Sequence, residues 1–214
     1  MERLRLGSIV PTIFGYDAVI IGEAEFSVCL EKCNIKRKTV INTGAVQSVY
    51  SRQDKLPINS EMVDLVYIAH SLEFSNNPHE ILREAYRILR PDGHIVISML
   101  NPFSIWGIWR NLAKWQHKMP WQGNFVSLIR LKDWLGLLGF DIMRVNHFGY
   151  CMPFNKKNFA NISPIEKLGQ RLELPFGAGY IVEASKRVIA LSPIKPVWSS
   201  NSNIVSNDLT EPTT

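Results

Sequence analysis

The chemistry-bearing residue that stands out is His70, in Ala69-His70-Ser71, at the point where a long apolar run stops. An imidazole at a strand end suits proton transfer near neutral pH, or direct contact with a bound ligand. The bland alternative is a loop histidine that hydrogen-bonds the backbone. Glu73, three residues on, reads as solvated, and Asp64 as the residue that fixes the chain where its strand begins. Cys29 and Cys33, at i and i+4, share a helix face if that segment is helical, but no histidine stands at ligand spacing. They read as small buried hydrophobes. With Cys151 they make an odd set of three, which argues against zinc and a disulfide framework and fits a reducing cytoplasm.

A second feature is 105–122, IWGIWRNLAKWQHKMPWQ. Ile105, Ile108, Trp109, Leu112, Trp115 and Met119 recur at helical spacing, while Arg110, Lys114 and Lys118 fall on another face. No Asp or Glu occurs between Asp92 and Asp133, where five Lys or Arg do. Such a helix suits a membrane interface or a lid over an apolar ligand; an ordinary packed helix is the competing reading. Nucleic acid ranks lower, because the aromatics are spaced like a packing stripe. The net charge of +5 and pI near 9.2 suit an anionic partner or simply a basic enzyme.

These residues need elements to position them. At 214 residues, 46% hydrophobic and 20% charged, the chain is sized for one globular domain. The N-terminal run is broken by Pro11 and reads as neither signal peptide nor membrane span. Strands are expected at Tyr16–Gly22, Thr39–Asn42, Val46–Tyr50, Met62–Ala69 and His94–Leu100. A helix opens at Asn77-Pro78, with Asn as N-cap and Ile81, Leu82, Ala85, Ile88 and Leu89 on its apolar face. Leu128–Leu138 is an amphipathic helix stopped by Gly139, with Trp134 expected in the core. Strands then follow at Phe140–Val145 and Tyr180–Ala184, with a helix near Pro164–Leu172 between them. The alternation predicts a doubly wound α/β sheet, and 191–214, rich in Ser, Asn, Thr and Pro, reads as a disordered tail.

The stretch 59–98, NSEMVDLVYIAHSLEFSNNPHEILREAYRILRPDGHIVIS, is a βαβ unit closed by Pro91-Asp92-Gly93. It resembles the central unit of class I S-adenosylmethionine-dependent methyltransferases, of the type 11 kind, and the likeness runs over about residues 16–190. The resemblance implies a mostly parallel seven-stranded, Rossmann-like sheet with a C-terminal antiparallel hairpin, Phe140–Gly149 with Gly179–Arg187. It implies S-adenosylmethionine as cofactor, with Gly22, Glu23 and Ala24 around its methionine part, Asn42 at the ribose, and Arg52, Gln53 and Ala69 near the adenine. His70 is the polar residue it would bring nearest the transferred methyl.

The chain departs from the family pattern in several places. The first loop, Ile21-Gly22-Glu23-Ala24-Glu25-Phe26, holds one glycine where relatives have two or three. Asn42 stands for a carboxylate, and Arg52 for an Asp, with Asp54 out of register. The cover helix that relatives carry before the first strand is expected to be missing from the domain, 1–190. The reading is a cytoplasmic, metal-free methyltransferase acting on a small or lipophilic acceptor, with peripheral membrane contact through 105–122. Its alternative is a degenerate, non-catalytic domain that binds a partner or a membrane surface.

Overall fold

The computed structural model describes residues 2–22, 33–42, 49–50, 52–104, 107, 123–150 and 175–187. Among the described residues are seven strands: β1 (Asp17–Ile21), β2 (Arg37–Asn42), β3 (Val49–Tyr50), β4 (Val63–Ala69), β5 (Leu89–Leu100), β6 (Phe140–Phe148) and β7 (Gly179–Lys186). The helices are α1 (Glu2–Ile9), α2 (Ser71–Phe74), α3 (Pro78–Ile88) and α4 (Leu128–Leu138). The sheet order is β3-β2-β1-β4-β5-β7-β6, with β3 a two-residue strand on one edge. The first five strands pair in parallel, and β7 runs antiparallel to both β5 and β6.

β4 is buried at every one of its positions, as a strand covered on both faces must be, and its run VDLVYIA is apolar but for Asp64. The alternation of its side chains divides the core. Val66 and Ile68 join Ile81, Leu82, Ala85 and Ile88 of α3 and Leu131 and Leu135 of α4 on one face. Leu65 and Tyr67 join Leu6 and Ile9 of α1 on the other. Among the described residues no helix is long and apolar enough to cross a membrane.

Several expectations need correction. A two-turn helix does precede the first strand: α1 buries Leu6 and Ile9. Its sequence, ERLRLGSI, carries so weak a periodicity that only tertiary packing reveals it. β5 begins at Leu89 rather than His94, because Val63 pairs Leu89 and Leu65 pairs His94, so residues 90–93 bulge out of a continuous strand. Asn77 holds the N-cap position of α3 without capping it, Nδ2 lying 3.5 Å from Glu80 Oε2. Ser127 and Gly139 (φ 87°) do close the ends of α4. Trp134 is only partly buried, its ring centroid 4.2 Å from that of His79. Cys33 is a buried small residue, its thiol pushed up by burial. Cys29, Cys151, the helix expected at 164–172, 105–122 apart from Gly107, and the tail 191–214 lie outside the described residues.

Candidate active site

The chain runs from β1 outward to β2 and β3, then returns to place β4 on the other side of β1. An open sheet leaves a crevice at the carboxyl ends of such strands, where ligands bind. At that edge Gly22 follows β1 and Ala69 ends β4. Gly22 has φ +147°, and a Cβ there would stand 2.7 Å from Ala69 O and 3.1 Å from Ala69 Cβ. The lip of the crevice is therefore bare main chain and one methyl group. Ser71 Oγ stitches the two strand ends together, donating to Ile21 O (2.9 Å) and Ala69 O (3.2 Å).

Next to Ala69, His70 sits at φ 51°, a left-handed conformation that costs a non-glycine residue roughly 1 kcal/mol. Its surroundings hold it there. The backbone N–H donates to Ser98 O at 3.1 Å, Nδ1 lies 3.3 Å from Glu73 Oε1, and Nε2 lies 3.2 Å from Glu2 Oε2. Glu2 arrives from α1, and Tyr67 Oη donates to its Oε1 at 3.0 Å while lying 3.2 Å from Ser98 Oγ. Glu73 Oε1 also accepts the Leu100 backbone N–H. Expected to be solvated, Glu73 is instead 1% exposed, because α2 turns it inward over the end of β5.

Burial alone would push the His70 imidazole down, but hydrogen bonds and charge from Glu2 and Glu73 outweigh that and raise it to about 10. Both ring nitrogens then donate, which leaves no lone pair to accept a proton. The proton-accepting role considered for His70 does not suit this arrangement; a cationic donor locked between carboxylates does. Burial would raise Glu2, and the His70 contact, with Ser98 and Tyr67, takes it below the ordinary carboxylate range instead.

The linkage follows from these directions. The His70 contribution to stability is whole below the imidazole's ordinary 6.5, declines above it and is gone once pH passes about 10. The Glu2 contribution is present above the ordinary 4.5 and is lost as pH falls through its lowered folded value. Urea unfolding as a function of pH should therefore show stability falling on the alkaline side, and His70→Gln should flatten that fall. An unchanged alkaline limb in the variant would remove the ion pairs as its cause.

Arg52 forks onto Asp54, Nε to Oδ1 at 3.0 Å and Nη2 to Oδ2 at 2.6 Å, so the out-of-register carboxylate neutralises the misfit arginine. Gln53 shares that turn. Asn42 ends β2 beside the crevice, where Ile41 O accepts from Gly22 N at 3.2 Å; its side chain, with Glu23 and Ala24, lies outside the described residues. The structure thus brings Gly22, Ala69 and His70 together. Glu2, Tyr67, Ser71 and Ser98 also belong there, and only Ser71, abutting the strand end, carried a local signal. No group of three or more His, Cys, Asp or Glu able to hold a metal occurs among the described residues.

Sheet order, antiparallel β7 and a bare glycine at the switch point define a Rossmann-like fold of the class I methyltransferase kind. Comparison with known proteins agrees. Residues 25–97 match the Methyltransferase domain family. The chain is 30% identical over 145 residues to the protein YafS of Escherichia coli (strain K12), covering 67% of this chain and 60% of that one. It is 27% identical over 85 residues to the malonyl-[acyl-carrier protein] O-methyltransferase of Marinomonas sp. (strain MWYL1), 35% of this chain and 32% of that protein. The chain thus spans less than two thirds of the length of the curated relatives it matches.

Among solved structures, an S-adenosylmethionine-dependent methyltransferase from Thermotoga maritima superposes with TM-score 0.66 at 21% identity, over 86% of this chain and 89% of that one. One from Archaeoglobus fulgidus gives 0.62 at 21% identity, over 86% and 93%. Residues 25–97 thus match a methyltransferase family, and the chain has the fold of class I S-adenosylmethionine-dependent methyltransferases. At the ends of β1 and β4 the residues such a cofactor would meet, Gly22 and Ala69, carry nothing larger than a methyl group.

Proposed function

We propose that the chain transfers the methyl group of S-adenosylmethionine to a small or lipophilic acceptor. The observation that carries this reading is the crevice at Gly22 and Ala69, with the cluster Glu2–His70–Glu73 built against it. When bound, the cofactor supplies an electrophilic methyl group on a sulfonium. Gly22, Glu23 and Ala24 hold its methionine part, Asn42 the ribose, and Arg52, Gln53 and Ala69 flank the adenine. Displacement at a methyl carbon needs alignment and exclusion of water more than a dedicated base, so a protonated His70 is no obstacle.

The lipophilic acceptor rests on the tryptophan-bearing, acid-free segment 105–122, which also supports peripheral contact with a membrane from a cytoplasmic location. The match to a malonyl-[acyl-carrier protein] O-methyltransferase places carboxyl acceptors in the first screen, beside lipophilic phenols and quinones. A second reading, a non-catalytic domain that binds a partner or a membrane surface, is favoured by Arg52. Its guanidinium is committed to Asp54, so this turn offers the cofactor no unengaged carboxylate.

Calorimetric titration with S-adenosylmethionine and S-adenosylhomocysteine separates the two. Dissociation constants in the micromolar range, about −8 kcal/mol, are expected for a working site. No heat from either, by a chain that melts cooperatively, would leave the non-catalytic reading standing.

A further inference from the structure

The amino ends of the strands, opposite the crevice, hold a second concavity of ≈ 490 Å³ between Phe14–Tyr16 on one side and Asn34, Lys36 and Arg90 on the other. Its rim is unusual in presenting two aromatic rings to solvent, Phe14 at 74% and Tyr16 at 63% exposure. The turn that carries them is fixed. Gly15 lies so close to Asp64 that a Cβ would stand 2.4 Å from Asp64 Cβ. Asp64 Oδ2 accepts from Tyr16 N at 2.7 Å and Asp17 N at 3.0 Å, and Tyr16 O accepts from Arg37 N at 2.9 Å. The backbone is thus anchored before and after Tyr16, so presenting the rings costs little further ordering on binding.

The charge of the cleft is positive. Arg90 Nη1 meets Asp64 Oδ1 at 2.7 Å, which answers the one acid in the lining. Lys36 has no ion pair or hydrogen bond among the described residues, and Arg37 beside it is paired with Asp17 at 2.6 Å. A cation of this kind in one lining with two exposed aromatic rings matches a planar ring that bears an anionic group.

We propose that this cleft binds a nucleoside monophosphate group, its base stacked on Phe14 and Tyr16 and its phosphate met by Lys36 and Arg90. The group is either a free nucleotide or one unit of an RNA strand. The site is separate from the methyltransferase crevice and does not depend on it. The chain's overall positive charge speeds the encounter with either source.

The test is calorimetric titration of the full chain, at low salt, with AMP, UMP, adenosine, inorganic phosphate and a short oligoadenylate. AMP and UMP should bind with dissociation constants below about 1 mM, and adenosine or phosphate alone should bind about tenfold more weakly. F14A/Y16A and K36E should each weaken AMP about tenfold while leaving the melting temperature in place, because these side chains are exposed. AMP should still bind when S-adenosylhomocysteine is saturating. Oligoadenylate binding more tightly than AMP would support the RNA source, and equal binding the free nucleotide. No nucleotide binding, AMP displaced by S-adenosylhomocysteine, binding unchanged in both variants, or binding only to anionic phospholipid vesicles would each overturn the proposal.

Discussion

Replacing Glu73 by leucine should cost about 3–5 kcal/mol of stability, the largest loss expected from a single polar change in this chain. The carboxylate is buried and carries two jobs: it accepts the Leu100 N–H at the end of β5 and faces His70 Nδ1. Leucine fills similar space but strands a part-buried amide and removes one of the two carboxylates that face the imidazole among the described residues. Since 1 kcal/mol moves the melting point of a domain this size by about 2–4 °C, thermal melts should drop by roughly 10 °C. Glu73→Gln keeps an oxygen for Leu100 and should lose clearly less. A leucine variant melting within a degree or two of the natural chain would show that the cluster does not hold the strand ends together.

Gly22→Val comes second in size and bears on function. At φ +147° any side chain is strained, and its Cβ would press on the Ala69 carbonyl and methyl. Strain and crowding together should cost about 2–4 kcal/mol. Because the displaced atoms are the lip of the crevice, affinity for S-adenosylhomocysteine should fall by about two orders of magnitude, measured below the variant's melting point. Gly22→Ala should lie between. Undiminished affinity in a folded valine variant would move the cofactor away from the β1–β4 switch point.

What the sequence makes legible follows from where the signal sits. The runs AVII, LVYIA and IVISML are apolar but for Ser98, as strands buried on both faces need, so the sheet's centre could be read directly. Gly22, Ala69 and His70 could be located because they punctuate those runs. The polar cluster could not. Glu73 sits four residues past a strand end, where most carboxylates reach water, and only the short turn of α2 aims it inward. Glu2 lies 68 residues from the histidine it pairs with, on a helix without an amphipathic signature. Pro91-Asp92-Gly93 reads as a turn that starts a new strand, yet these residues are a bulge inside β5, because pairing across the sheet decides the outcome.

The place of β7 bears on how the chain can be made. It lies between β5 and β6 although it follows both in the chain, and it pairs with β5 from Leu100↔Gly179 to His94↔Ser185. On the ribosome, the open side of β5 must wait for some eighty residues of further synthesis before its neighbour exists. Until then the margins of β5 and β6 that β7 will fill stand without partners, which is the state most open to misassociation between nascent chains. Any shortening of the protein that removes β7 should consequently yield aggregates rather than a smaller folded core.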